Sequence, residues 1–209
     1  MDWSEKTQIV VTCGRGCAGA LQGELRALGH DPQEISPTSV GIEGDLREAM
    51  RLNLWLRTAN RVLFEVAGFE IDSADELYAA ARELPWEAWL PSDAPFHVHG
   101  VARHESIRDS RFAVLRVKDA IADRFVERTG ARPDSTSAPD GAACVAFFWD
   151  GPAVRYFLDT SGVPLSHRGY RWKPWTAPLR ETLAAAILLE LGWPKTPASR
   201  SGWSAMTRP

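Results

Sequence analysis

At 209 residues, with 44% hydrophobic and 24% charged side chains, the chain reads as a soluble globular protein of one large or two small domains; no apolar run approaches the roughly 18–20 residues that span a bilayer. Three cysteines do not make a disulfide framework, and Met1–Lys6 has no basic-then-apolar leader, so the expected location is cytoplasmic with no membrane partner. The net charge of −3 argues against a wholesale polyanion binder, but residues 1–94 carry 8 Lys/Arg against 16 Asp/Glu while residues 95–209 carry 16 against 11, so only the second half has cations to spare.

In chain order, Gln8–Cys13 is β-branched and reads as a strand. Leu21, Leu25 and Leu28 recur at helical spacing across 17–28, with Gly29 as the stop. Pro32 and Pro37 bracket a short strand at 34–36, and 39–43 is a third strand. Asp45, followed three residues on by Glu48, has the form of a capping box opening a helix through Leu54, and Arg61–Val66 returns as a strand. The order β-α-β-β-α-β is the ferredoxin-like arrangement.

A second unit follows. Ser73 caps a helix carrying Leu77, Ala81 and Leu84, Phe96–Val101 is a strand, and 111–128 is the strongest helix pattern in the chain. After a loop at 133–141, Cys144–Trp149 and Val154–Leu158 form a hairpin about Asp150-Gly151. A basic, aromatic stretch (His167–Trp175) leads to a helix over 178–191, with Pro178 in its first turn and Gly192 just past its end.

Gly14-Arg15-Gly16-Cys17-Ala18-Gly19 matches GxGxxG between a strand and a helix, but Glu34 lies in a segment hemmed by two prolines, and the later elements do not alternate as a doubly wound sheet requires. The run is read as a glycine-loosened turn. Cys13 and Cys17 are too sparsely accompanied for a zinc or redox site, and Cys144 is distant in sequence. His97 and His99 share one strand face, with His104 nearby and no clustered Cys, Asp or Glu, so they are read as strand residues; no metal site is expected.

On a helical wheel of residues 111–128, Val114, Leu115, Val117, Ile121 and Phe125 share a broad apolar face, with Arg116, Asp119, Asp123 and Glu127 opposite. Arg111 and Lys118 fall on the apolar side. They are either snorkelling side chains or cations held at a domain edge for phosphates, a patch that Arg103, His104 and Arg108 would extend.

Two blocks carry a family resemblance. Ser106-Ile107-Arg108-Asp109-Ser110 with Arg116-Val117-Lys118-Asp119-Ala120-Ile121 is similar to an S-I-R-(N/D)-S … K-V-K-D-A-I run, with Arg116 in place of the usual Lys. Leu158–Gly162, His167–Arg171 and Ala177–Ile187 match further ungapped blocks in the same order. The resemblance is to the THUMP-containing, S-adenosylmethionine-dependent methyltransferases that modify guanine in bacterial 23S ribosomal RNA, and it covers about residues 8–197. It implies an α/β fold of the α+β type: a ferredoxin-like domain at 1–66, a THUMP RNA-binding domain at 67–163, and at 164–209 a linker with the first helix of a methyltransferase domain.

The family continues past Thr-Pro into an apolar strand, a D-P-x-C-G-S-G loop that holds S-adenosylmethionine, and an N-P-P-(Y/F) motif. Here Thr196-Pro197 is followed by Ala198–Pro209, and these motifs do not occur in the 209 residues. The expectation is therefore a truncated product with no catalytic residue and no cofactor site of its own, S-adenosylmethionine belonging to the full-length family. The resemblance implies that the complete enzyme methylates the exocyclic amine of a ribosomal guanine and that this chain docks large-subunit ribosomal RNA. The expected phosphate contacts are Arg103, Arg108, Arg111, Arg116 and Lys118, with Arg168, Arg171 and Lys173 as a second basic edge. Tyr170, Trp172 and Trp175 either stack on unpaired bases or pack against the catalytic domain. Two alternatives stay open: a THUMP protein directed at transfer RNA, and a protein-interaction module whose helix 178–191 docks a separate catalytic chain or self-associates.

Overall fold

The computed structural model describes residues 3–135, 142–169 and 178–192. In chain order the elements are β1 (Thr7–Cys13), α1 (Ala18–Ala27), β2 (Gln33–Ser36), β3 (Ser39–Gly44), α2 (Leu46–Trp55), β4 (Ala59–Glu70) and α3 (Ala74–Glu83). There follow β5 (Phe96–Arg103), α4 (Ser110–Thr129), β6 (Ala143–Asp150), β7 (Ala153–Asp159) and α5 (Glu181–Glu190). The expected mixed α/β fold is present: a ferredoxin-like β-α-β-β-α-β half followed by the THUMP half.

The strands make one seven-stranded sheet in the order β2-β3-β1-β4-β7-β6-β5, antiparallel throughout except for β5 against β6. Because side chains alternate along a strand, each strand contributes to both faces. Ile9, Val11, Val62 and Phe64 pack with Leu21, Leu25 and Leu52 of α1 and α2. Val145, Phe147, Trp149 and Tyr156 pack with Leu77 of α3 and Val117, Ile121 and Phe125 of α4. The opposite face carries a smaller cluster drawn from strands alone: Val10, Leu63, Ala146 and Phe157.

β4 joins the two halves. Its first part lies between β1 (Ile9↔Phe64) and β7 (Phe64↔Leu158) and its second pairs with β7 alone (Gly68↔Arg155), with an irregularity between Glu65 and Ala67. The strand therefore runs four residues beyond the Val66 end read from the sequence. Ala67-Gly68-Phe69-Glu70 is weak as an isolated strand, but its ladder partner arrives from some ninety residues later.

Local capping follows the sequence. Asp45 Oδ1 accepts from Glu48 N (2.8 Å), and Ser73 Oγ accepts from Glu76 N (3.2 Å) while the Glu76 carboxylate accepts from Asp72 N (3.0 Å). Arg124 of α4 donates to the carbonyls of Arg82 and Glu83 at the end of α3 (2.9 Å each) and pairs with Glu87. That hydrogen-bonded pairing holds the Glu87 carboxyl below its ordinary range. The glycine run ends β1 as a turn: Cys17 N donates to Gly14 O (3.0 Å), and Gly16 has φ +83°. A Cβ on Gly19 would lie 3.7 Å from the Glu190 carboxylate of α5, so an acidic side chain sits at the helix N-terminus where the Rossmann reading would put a phosphate.

α5 departs from its expected behaviour. Its regular turns begin at Glu181 rather than Pro178, and one of its faces docks on α1 of the ferredoxin-like half within the same chain. Thr182 and Ala186 face inward; Thr182 Oγ1 donates to Asn60 Oδ1 (3.1 Å), and Ala186 joins the core beneath α1. Small residues let the two helices approach closely, so the stripe of Leu179, Leu183, Ile187 and Leu191 is left exposed.

Candidate nucleic-acid interface

The cations singled out in the sequence surround the junction of β5 and α4. Ser110 fixes this junction: its Oγ accepts from Ala102 N (3.1 Å) and donates to Ala102 O (3.2 Å). Asp109 caps α4 by accepting from Arg111 N (2.8 Å). The intervening loop is held by Ile107 N donating to His104 O (3.0 Å) and by Ser106 N donating to His104 Nδ1 (3.2 Å). His104 stacks on Trp149 at 4.5 Å between ring centroids. It is thus parted from His97 and His99, which it neighbours in sequence.

Within this frame the five expected phosphate contacts divide. Arg103 ends β5 and is exposed, Arg108 is exposed in the loop, and Lys118 is half-buried on α4. Among the described residues these three form no ion pair. Arg111 is exposed but paired with Asp109 at 2.7 Å, an interaction that keeps the Asp109 carboxyl below its usual range, the Arg111 side-chain hydrogen bond contributing most. Arg116 is turned inward to α3: its guanidinium lies 4.8 Å over the Tyr78 ring and contacts Asp75 at 2.5 Å. The helical wheel placed Arg116 on a solvated face because a wheel does not know where the neighbouring helix lies.

Of the expected second basic edge, Arg168 is the one cation among the described residues. Arg168 donates to the backbone carbonyls of Leu165 (3.2 Å), Asn53 (3.3 Å) and Leu56, so it caps the C-terminal end of α2. Arg171, Lys173, Tyr170, Trp172 and Trp175 lie outside the described residues.

Two features were missed in the sequence. Leu115, expected in the core, is 51% exposed, as is Phe112, whereas Ala113, Ala120 and Ala122 are fully buried. The small alanines allow α3 and α4 to pack closely, which turns Arg111, Leu115 and Lys118 outward as one stripe with Phe112 alongside. The open sheet face beside Arg103 is concave, enclosing about 550 Å³ lined by Val101, Arg103, Phe148, Arg155, Gln8 and Ile35 among others. Phe148 is half-buried there against Phe157 (5.5 Å, near-perpendicular rings). A basic rim with apolar and aromatic surface can meet both phosphates and unstacked bases.

Comparison with known proteins matches two domains in this chain. The RlmL ferredoxin-like domain model matches residues 8–63, and the THUMP domain model matches residues 72–140. The chain thus carries an RlmL-type ferredoxin-like domain followed by a THUMP domain. It is 43% identical over 90% of its length to the ribosomal RNA large subunit methyltransferase K/L of Syntrophotalea carbinolica. Among solved structures, a predicted N6-adenine-specific DNA methylase from Listeria monocytogenes shares 34% identity at TM-score 0.75, covering 90% of this chain and 49% of that one. A putative methyltransferase complexed with SAH shares 26% at TM-score 0.72, covering 90% of this chain and 50% of that one. The chain spans only about a quarter of the length of the curated K/L relatives it matches, 25–27%. The two model matches leave 64–71 unassigned, the stretch in which β4 passes from one half of the sheet to the other. Among the described residues no helix is long and apolar enough to cross a membrane.

Proposed function

We propose that this chain is the RNA-docking region of a cytoplasmic, S-adenosylmethionine-dependent methyltransferase acting on the exocyclic amine of guanine in large-subunit ribosomal RNA. The observation that carries the reading is the set of unpaired cations at the β5–α4 junction. Arg103, Arg108 and Lys118 stand without acidic partners among the described residues, beside Phe112 and Leu115, on a chain whose net charge is −3. Isolated apolar side chains on a surface mean little; next to unneutralised cations they fit a polyanion with exposed bases. Arg111 contributes once Asp109 releases it. Arg116 and Arg168 are assigned to holding the fold. The methyl donor is a property of the complete enzymes, and the part these residues play is placing the RNA.

The test is binding of structured ribosomal RNA fragments over a salt series. Arg103→Ala, Arg108→Ala and Lys118→Ala together should weaken binding and reduce the salt slope by up to roughly 0.7–0.9 per lost contact. Arg168→Ala should leave the slope unchanged while lowering stability. An unchanged slope in the triple variant would return those cations to ordinary solvation. Equal binding of transfer RNA and ribosomal RNA fragments would favour a transfer-RNA-directed protein.

The exposed Leu183, Ile187 and Leu191 of α5 favour a second activity, association with another protein surface or a second copy. Leu183→Glu with Ile187→Glu should abolish concentration-dependent association in sedimentation without touching RNA affinity. A wild-type chain that stays monomeric at high concentration would remove this second reading.

A further inference from the structure

β5 and β6 run parallel with His97 opposite Cys144 and His99 opposite Ala146. On the other side of Cys144 the β6–β7 ladder continues toward Asp159, one step beyond Val145↔Leu158. Interstrand spacing of roughly 4.8 Å therefore places a carboxylate, a thiol and an imidazole in one row on the helix-free face, with a second imidazole one pleat away. The resulting geometry is tight: His97 Nε2 and His99 Nδ1 each lie 3.1 Å from Cys144 Sγ. All three ligand-type atoms lie within 4.8 Å of one another.

From this cluster we infer a binding site for a divalent transition cation of the zinc class, held by Cys144 Sγ, His97 Nε2 and His99 Nδ1. In the sequence the two histidines stand without a third ligand, because Cys144 arrives 45 residues after His99.

Three physical observations support the site. Tetrahedral zinc at about 2.3 Å from sulfur and about 2.0–2.1 Å from nitrogen sets sulfur about 3.6 Å from each nitrogen and the two nitrogens about 3.3 Å apart, so the two S···N distances of 3.1 Å open by about half an ångström while the imidazoles, within 4.8 Å, draw together. A single S–H cannot serve two imidazole nitrogens and the adjacent Asp159 carboxylate at once, since sulfur is a weak donor and acceptor; a cation takes the lone pairs of the sulfur and both nitrogens together. His97 Nδ1 is buried without a hydrogen-bond partner, so the ring is oriented by its stacking on His99 and by Nε2, the nitrogen that meets Cys144 Sγ. In the charge inventory, Arg61 is ion-paired with Asp159, whose side chain is 0% exposed. A Cys144 thiolate would then leave the pocket one negative charge in excess, favourable to a dication. Without a cation, burial first and the Asp159 charge second push the Cys144 thiol up to about 12, and burial pushes both histidines down. Neutral imidazoles are the ligand form, and a metal replaces the thiol proton. Asp159 stays engaged with Arg61 and with Ser161 N (2.9 Å), leaving a fourth coordination position for water. The cation would staple the edge strand β5 to β6.

Chelator-stripped protein, titrated with cobalt(II) without RNA, tests the proposal. The expected result is one equivalent bound, a thiolate-to-cobalt charge-transfer band, and displacement of the cobalt by zinc. Cys144→Ser should abolish the band, His99→Gln should weaken binding by at least about 10–100-fold, and Cys13→Ser with Cys17→Ser should leave the band unchanged. Zinc should also raise the melting temperature of the wild-type chain, and His97→Gln with His99→Gln should remove that rise, which decides the matter if Cys144→Ser fails to fold. Absence of both band and stabilisation in the wild type, or a band that survives Cys144→Ser, overturns the site. Because RNA takes no part, neither result bears on the docking surface.

Discussion

Glu24→Ala should lower the stability of the chain by about 3–5 kcal/mol, the range for a buried carboxylate whose partners are left stranded. Glu24 lies on α1 with its side chain 5% exposed, and its carboxylate serves the loop between α2 and β4. Thr58 N (2.9 Å) and Thr58 Oγ1 (2.7 Å) donate to Oε2, Arg57 Nε donates to Oε1 (2.8 Å), and Arg57 N approaches both oxygens at 3.2–3.3 Å. Thr58 is fully buried, so its two donors lose their partner with no water to replace it. The Arg57 side chain is 57% exposed, and its half of the ion pair is screened by solvent. Arg57→Ala should therefore cost less than about 1 kcal/mol, and Glu24→Gln should fall between the two. Urea unfolding of the three variants checks the order. A Glu24→Ala loss no larger than that of Arg57→Ala would mean that the surface ion pair, and not the buried donors, sets the value of this residue.

The same contrast between local and distant partners explains what could be read from the sequence. The elements were legible because each announces itself within a few residues: Asp45 and Glu48 cap one helix, Ser73 and Glu76 another, and Leu21–Leu25 faces one core. The ferredoxin-like order followed from these, and the family blocks at 106–121 and 158–187 supplied the THUMP assignment. The continuous sheet was not legible, because residues 67–70 of β4 gain their ladder from β7, which no local pattern foretells. Nor was the fate of individual cations. Arg116 and Lys118 lie two residues apart, yet one is drawn over Tyr78 to Asp75 and the other is left unpaired, a difference set by where α3 lies. Cys144 and His97 come together by parallel pairing of β5 and β6, the kind of contact with the longest intervening chain. Exposed cations at a local motif were thus readable as a candidate interface, whereas sites assembled across strands were not.

Gly100→Ala should destabilise the chain toward the upper end of the roughly 1–3 kcal/mol typical of overpacking, and it should do so at the strand that carries both proposed sites. Gly100 pairs with Phe147 across the β5–β6 ladder. An added Cβ would lie 2.4 Å from Cδ1 and Cε1 of the Phe147 ring and 2.6 Å from its carbonyl oxygen. The ring is fully buried among α3, α4 and β7, and the carbonyl belongs to a central strand, so neither can yield. The edge strand is held in the sheet only through β6 and is the part that must move. β5 carries His97 and His99 and ends at Arg103, so amide exchange should accelerate in β5 while β1 and β3 stay protected. RNA affinity and cobalt binding should fall together. Gly23→Ala is the control: Gly23 lies in α1 with nothing within 4 Å of an added Cβ, so there the substitution should stabilise by about 0.4–1 kcal/mol. If Gly100→Ala instead unfolds the whole sheet uniformly, β5 is not a separable edge, and the coupling between its packing and the two sites runs through the entire core.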